Sequence, residues 1–298
     1  MEVLNELFSV PVGLEKVISI NGAELYGSVQ LTVGYNEVLV KAKNTAPLSD
    51  ILLDLVKNRR IIPCYLNKGI FRVLMWIIFS EDPEKSTMAF FHPKENKVFI
   101  VIDNKISLAG YISNEWLGNV TLHECSHMAA YDNPSGFFKI FSNDLVNFYS
   151  AYFTEIFKLK KSAEKYTIKI VHYLREVEEN RMNRKLKEPD TLLEVKKLLS
   201  ELKKDSDLSD DHFESILKDY VDMCSLLLNK MTSKTFSELI KRKRVIVPYY
   251  HAYTKVFGVT NQDAFHFQES LYPSEVIAIY SEVAPKEKLA SMLSLIKK

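Results

Sequence analysis

Residues 113–130 read SNEWLGNVTLHECSHMAA. Ser113 is a good N-cap and apolar residues follow it at helical spacing, so we expect one helix that runs to about Ala130. An apolar run, residues 98–102, precedes the helix and predicts a buried strand. The stretch therefore joins a first half of the chain that is predicted to contain strands to a second half that is predicted to be helical.

The first forty-odd residues are predicted to be rich in β-structure. Residues 17–20 are typical of a strand, and Asn21-Gly22 behind them is typical of a tight hairpin turn. Alternating residues around 29–33 and 38–41 predict two further hairpin strands. We therefore treat residues 1–46 as an N-terminal β-rich segment.

The rest of the chain, residues 47–298, is expected to form a second domain in which helices prevail. A helix is predicted from Ser49, and a β-hairpin from residues 88–91 and 98–102. Apolar residues then recur every three or four positions, which predicts a helical extension over about residues 143–260. The fold class that we expect is α+β, with a small β-containing N-terminal half and a mostly helical C-terminal half. The predicted helices of the extension cover residues 145–161, 163–187, 192–204 and 212–231.

Composition narrows the class of protein. Hydrophobic residues make up 47% of the 298 residues and charged residues 26%, a balance that excludes a disordered chain. The formal net charge of +1 argues against a dedicated nucleic-acid binder. The 9 glycines leave little room for phosphate-binding loops, and neither a Walker A nor a GxGxxG stretch occurs. We therefore expect neither a nucleic-acid partner nor a nucleotide cofactor.

Targeting and redox features point to a cytoplasmic protein. The first residues carry acid where a secretory signal peptide carries base. The longest apolar run, residues 73–79, is far shorter than the roughly 20 residues of a membrane helix. The 3 cysteines are too few and too scattered for a disulfide framework or a thiolate metal cage. We expect no signal peptide, no membrane association and a reducing compartment.

The chemistry is carried by His123-Glu124-Cys125-Ser126-His127, an HExxH motif in the middle of the predicted helix. Histidines four positions apart share one helix face, so His123 and His127 can bind the same metal ion. Glu124 lies beside the open position of that ion, where it can take a proton from a bound water. Zinc lowers the pKa of such a water towards ~7. The motif therefore predicts a Zn²⁺ site with Glu124 as the catalytic base.

With an apolar strand before it, this motif resembles that of the zincin metallopeptidases and, within them, the gluzincins. The resemblance covers about residues 87–132. It implies a zinc ion held by two histidines and a more distal acid, with water completing the site. The glycine and third histidine of the metzincins are absent, because residues 128–134 read MAAYDNP.

Three acids compete for the place of third ligand, and Glu178 ranks first. It shares a helical stripe with apolar residues such as Met182, so it must be exposed, paired or bound to metal. Its surroundings are also similar to an apolar-Glu-Asp-x-Arg-apolar helix of some bacterial and phage metallopeptidase-like proteins, although Glu179 stands in place of the Asp. The alternative is a solvated helix in which Glu178 pairs with Arg175 or Arg181.

Glu275 ranks second among the candidate ligands. It opens the segment Glu275-Val276-Ile277-Ala278, which is similar to the segment that supplies the third ligand in lethal-factor-like peptidases. Ile279 stands where that family has a second acid. The alternative is that Ser274 caps a helix and that Glu275 only interacts favourably with the helix dipole.

Four further residues complete the candidate site. Glu155 ranks third as a ligand, because its spacing from His127 suits a gluzincin but nothing else distinguishes it from an acid on an aromatic-rich helix. A peptidase also needs a donor that stabilises the oxyanion of its transition state. Tyr250, His251 and Tyr272 are candidates for this role, with amphipathic packing as the alternative explanation.

The function that we expect is that of a zinc metallopeptidase acting on a protein or peptide. Its substrate strand would add to the sheet edge formed by residues 88–102. The alternative is an inactive zincin-fold structural or interaction protein, such as a phage virion component. The long charged helices predicted after the motif favour this alternative, because they exceed what a minimal peptidase needs and suit assembly with a partner. The location would then be the virion.

Overall fold

The structure is a computed structural model. It describes residues 13–20, 23–66, 89–102, 113–160, 164–182, 188–228, 243–259 and 273–297. The fold is α+β, as predicted, and the described residues contain a five-stranded mixed sheet and eleven α-helices. The chain divides into two compact units. The sheet unit comprises residues 1–133 and 285–298, and the helical unit comprises residues 134–284.

The sheet has the strand order β1-β2-β3-β5-β4. Strand β3 is parallel to β5, and the other neighbouring pairs are antiparallel. The predicted hairpin is confirmed, since β4 and β5 pair with Phe91 opposite Val98. The strands are β1 (Glu15–Ile20), β2 (Ala23–Gly27), β3 (Ile61–Leu66), β4 (Ala89–His92) and β5 (Lys97–Val101).

The sheet unit contains four α-helices in its described residues. The helix predicted from Ser49 and the motif helix are both confirmed. Side chains alternate between the two faces of the sheet, so Phe99 lies in an apolar cluster on one face while Phe91 contacts Tyr131 of the motif helix on the other. The helices are α1 (Val29–Lys41), α2 (Ser49–Lys57), α3 (Asn114–Asp132) and α11 (Lys286–Leu293).

The two hairpin strands expected around residues 29–33 and 38–41 are wrong, because these residues form the single helix α1. Val29, Leu31 and Val33 alternate with polar residues, which is typical of a strand, but the buried residues Tyr35 and Leu39 are four positions apart and define a helical face. Ser28 caps this helix by accepting a hydrogen bond from the backbone N–H of Leu31 at 3.0 Å. The expected β-rich segment therefore contributes only β1 and β2 to the sheet.

The helical unit contains seven α-helices in its described residues, and all four predicted helices of the extension are present. Aromatic rings fill its core: Phe148 of the second helix lies 4.5 Å from Tyr253 and 4.9 Å from Tyr249, measured between ring centroids. The helices are α4 (Pro134–Ile140), α5 (Ser142–Ile156), α6 (Glu164–Met182), α7 (Glu188–Ser200), α8 (Asp210–Leu228), α9 (Lys243–Phe257) and α10 (Pro273–Ser281).

Two further predictions concern membrane-spanning helices and the ends of the predicted helices. None of the helices in the described ranges combines the length and the apolar content that a bilayer crossing requires. The run of residues 73–79 lies outside the described residues. Helix α7 ends earlier than predicted, at Ser200, and continues as a 3₁₀ helix over Glu201–Asp205.

Candidate metal centre

Helix α3 presents the two histidines of the motif side by side. Its N-cap is Ser113, as predicted, and the Ser113 hydroxyl accepts a hydrogen bond from the backbone N–H of Trp116 at 3.1 Å. His123 and His127 are one turn apart on this helix, both half-buried, with their Nε2 atoms 3.4 Å apart. The predicted shared face of the two imidazoles is therefore present.

The spacing of the two Nε2 atoms matches a shared metal ion. Imidazole nitrogens bind zinc at about 2.0–2.1 Å with tetrahedral angles, which places two such nitrogens about 3.3–3.4 Å apart. His123 and His127 show this separation. Two imidazoles and one carboxylate are also the ligand set of many catalytic zinc sites. The residues present therefore fit a zinc ion.

The opposite side of α3 is held firmly in the sheet unit. Leu122, Cys125 and Met128 are fully buried there. The hydroxyl groups of Tyr35 and Thr121 hydrogen-bond at 2.6 Å, which ties α1 to α3. Burial raises the pKa of the Cys125 thiol, so this residue stays protonated as an ordinary core thiol. The side of α3 away from the histidines is thus structural.

Helix α3 also closely approaches the segment that follows α1, at Gly118. A Cβ atom at this position would lie 2.9 Å from the Cβ of Ala42 and 3.2 Å from the side chain of Thr45. Only glycine therefore permits this packing without a shift of the chain. The contact holds α3 in register one turn before the motif begins.

Asp132 anchors the C-terminal end of α3, and sequence reasoning missed it. Its carboxylate accepts hydrogen bonds from Arg60 at 2.8 Å, from the Asn96 side chain at 2.7 Å and from the backbone N–H of Lys297 at 2.8 Å. The carboxylate is almost fully buried. Its three partners come from distant parts of the sequence, so no local pattern could have revealed them.

Glu178 lies inside the helical unit, where only 3% of the residue is exposed. Its carboxylate accepts two hydrogen bonds from Ser274, one from the backbone N–H to Oε2 at 3.0 Å and one from the hydroxyl to Oε1. Glu178 therefore interrupts an apolar helix face, as predicted, since Val171 and Leu174 of the same stripe are also buried. Hydrogen bonds from Ser274 compensate for the burial of this acid.

Glu275 lies in the first turn of α10, with 4% of the residue exposed. Every residue of α10 is buried. The expected alternative gave Ser274 the role of N-cap, but the helix already begins at Pro273 and the Ser274 hydroxyl donates to Glu178 instead. Glu275 is therefore a buried acid of the helical unit.

The remaining candidates lie on α5 and α9 of the helical unit. Oε1 of Glu155 lies 2.5 Å from Nδ1 of His251, so these two candidates pair with each other. Burial raises the pKa of the Tyr250 phenol, and its hydroxyl therefore stays a hydrogen-bond donor at neutral pH. Tyr272, the third candidate for an oxyanion donor, lies outside the described residues.

Comparison of the chain with protein-family models, with curated proteins and with solved structures found no match. The resemblance to zincins therefore rests on residues 123–127 and on the strand and helix around them. The function has to be inferred from the geometry of the histidine pair and from the chemistry of the acids.

Proposed function

We propose that the protein is a zinc-dependent metallopeptidase that hydrolyses a protein or peptide substrate. The observation that carries this proposal is the 3.4 Å separation of Nε2 of His123 and Nε2 of His127 on one face of α3. This is the separation of two nitrogen ligands on one tetrahedral zinc ion. Glu124 follows His123 directly, in the position of the general base of an HExxH peptidase.

The third ligand in this proposal is a distal acid, for which Glu178, Glu275 and Glu155 are the candidates. Both donors of Ser274 engage Glu178, so ligation of zinc through Glu178 would compete with these hydrogen bonds. Two imidazoles and one such carboxylate would complete the ligand set of a catalytic zinc site.

The catalytic roles in this proposal follow from the chemistry of the side chains. When bound, zinc supplies a Lewis acid and lowers the pKa of water to about 7. Glu124 is half-buried and would accept the proton of the attacking water and pass it to the leaving amine. Tyr250, which stays protonated, is the candidate donor for the oxyanion.

The sheet unit also offers a place for the substrate. Strand β4 is the outermost strand on its side of the sheet as far as the structure describes it, with β5 as its neighbour. Its Phe91 ring lies 5.4 Å from the ring of Tyr131, which is one helical turn beyond His127 on α3. An extended peptide that adds to β4 would run beside the helix that carries the motif.

The metal content of the purified full-length chain tests the proposal. We expect about one zinc per chain by elemental analysis, and its loss in His123→Ala and His127→Ala. Glu124→Gln should keep the zinc while hydrolysis of a cleaved protein substrate falls by about a hundredfold or more, because the amide cannot act as a base. Glu115→Gln, an exposed acid on the same helix, is the matched control and should leave both quantities unchanged.

Two outcomes would contradict the proposal in different ways. Absence of zinc from the wild-type protein would refute the metal site. If the protein binds zinc but wild type and Glu124→Gln show the same activity, the alternative is favoured, namely a structural or interaction protein with the zincin motif.

A further inference from the structure

We propose that the histidine face of α3, the stripe that carries His123 and His127, also selects the substrate. Trp116 and Tyr131 bind large apolar side chains of the substrate, one on each side of the scissile bond. The substrate class is then an extended peptide with aromatic or bulky aliphatic residues on both sides of that bond. This specificity rests on the proposed function, and the residues that carry it all belong to the sheet unit.

Helix geometry places both aromatic residues on the histidine face. Successive residues of an α-helix are turned by about 100° around its axis. Relative to His123, Trp116 is turned by about 20° and Tyr131 by about 80° in the same direction. His127 lies between these two values, at about 40°. The four side chains therefore leave α3 along one stripe, and the histidine pair lies between the two aromatic residues.

Both rings are unusually open to solvent. Trp116 is 38% exposed and Tyr131 is 37% exposed, and no other Phe, Tyr or Trp of the described ranges is as exposed. Single exposed apolar side chains are common on protein surfaces. Here, however, the two exposed rings share one helix stripe with the candidate metal ligands. Trp and Tyr are also residue types that are enriched at the centre of binding surfaces, so the stripe has the composition of a contact surface.

Tyr131 lies beside the sheet edge to which a peptide can add. Its ring is 5.4 Å from the ring of Phe91 in β4, whereas the neighbouring Phe90 stacks on Phe99 on the other face of the sheet. In a peptide strand that adds to β4, every second side chain points to the face of Phe91. One of these side chains would pack against the pair of Phe91 and Tyr131, which forms the first apolar subsite.

Trp116 forms the second subsite, at the other end of the stripe. It precedes Tyr131 by 15 positions in α3, which corresponds to about 22 Å along the helix axis. An extended peptide covers this distance with about seven residues. The two rings therefore contact different residues of one substrate, and a carbonyl bound at the histidine pair lies between these residues.

Cleavage of random-sequence decapeptides by the zinc-loaded full chain, followed by mass spectrometry, measures the specificity. We expect cleavage sites with large apolar residues on both sides of the scissile bond. Tyr131→Ala should lower the preference for Phe over Ala about tenfold at one substrate position, in kcat/KM, because loss of an apolar contact reduces discrimination by about that factor. Trp116→Ala should lower it at a position on the opposite side of the bond.

Binding supplies a measurement that does not depend on turnover. A fluorescently labelled decapeptide with the preferred residues should bind to Glu124→Gln, and its anisotropy gives the Kd. Addition of Tyr131→Ala or Trp116→Ala to this variant should weaken binding about tenfold while the zinc content stays the same. The matched control is Val33→Ala, because Val33 is an exposed apolar residue of the sheet unit on α1, with 53% exposure. It should change neither the Kd nor the selectivity.

A change of specificity tests the subsite even if truncation of a ring disturbs folding. Tyr131→Glu places a carboxylate at the first subsite, so the preference at that substrate position should change from aromatic residues to Lys or Arg. Retention of the preference for aromatic residues in a folded, zinc-binding Tyr131→Glu protein would show that Tyr131 does not contact the substrate.

The outcomes separate this specificity from the proposed function. Wild-type protein that binds no zinc, or that binds zinc but cleaves no peptide, refutes the proposed function and the subsites with it. Cleavage without a preference for apolar residues refutes only the subsites. The same holds if the preference exists but is unchanged in Tyr131→Ala and in Trp116→Ala.

Discussion

Asp132 of the sheet unit and Glu178 of the helical unit are both buried carboxylates, but they are stabilised in different ways. Asp132 accepts hydrogen bonds from three segments of the chain that are far apart in sequence. Glu178 receives two hydrogen bonds from the single residue Ser274. The comparison teaches that burial alone does not identify a metal ligand. The donors around a buried acid decide whether it is an anchor, a cap or a ligand.

Because their hydrogen-bond partners differ, the two acids should differ in how much of the protein they stabilise. Asp132 joins the end of α3 to the start of β3, the β4–β5 turn and the C-terminal segment, so the whole sheet unit depends on it. The two hydrogen bonds from Ser274 join Glu178 of α6 to the first turn of α10, which Glu178 thereby caps. Loss of Asp132 should therefore unfold more of the protein than loss of Glu178.

The largest loss of stability is expected for Asp132→Asn. The amide cannot accept from all three donors, and Arg60 is left as a nearly buried charge without its ionic partner. We expect the free energy of unfolding to fall by about 3 kcal/mol. Urea denaturation followed by tryptophan fluorescence measures this, since both tryptophans lie within residues 1–133. Asp50→Asn, an exposed acid in α2, is the control and should change stability by less than about 0.5 kcal/mol.

A smaller loss of stability is expected for Glu178→Ala. The substitution leaves the buried N–H and hydroxyl of Ser274 without this acceptor, which costs about 2 kcal/mol. Hydrogen exchange should report the loss mainly in α6 and α10, with the amides of β3 and β5 unaffected. If Glu178→Ala destabilised the sheet unit as strongly as Asp132→Asn does, the contrast between anchor and cap would be lost.

The smallest change in stability is expected at the buried thiol of Cys64. Burial raises the pKa of the Cys64 thiol to about 12, so the folded protein keeps this proton more tightly than the unfolded chain does. The resulting stability is fully present below about pH 9 and is lost as the pH rises towards 12. The penalty of Cys64→Ala should therefore be about 1 kcal/mol smaller at pH 10 than at pH 8.

Urea titrations of wild type and Cys64→Ala at the two pH values provide this measurement. Buried tyrosines titrate at alkaline pH in both proteins, so their effect cancels in the difference. A penalty that stays the same at both pH values would show that the thiol titrates normally in the folded state.

Local sequence patterns predict those structural features that depend only on residues close together in the chain. The extent of α3 follows from Ser113 and from the period of its apolar residues, and the shared face of the two histidines follows from their spacing of four. The β4–β5 hairpin is equally local. Helix α1 was missed because Val29, Leu31 and Val33 alternate with polar residues, although Ser28 could have revealed its N-cap.

Tertiary structure decided the roles of the acids. Asp132 and Arg60 are 72 positions apart, and Glu178 and Ser274 are 96 positions apart. The cost of burying a carboxylate depends on which donors packing brings to it, and no helical or strand period encodes donors at such distances. The helix and the shared face of the two histidines therefore follow from the local sequence, because backbone geometry places them. Only the fold decided that Ser274 would engage Glu178, because that contact exists only once α6 and α10 have packed together.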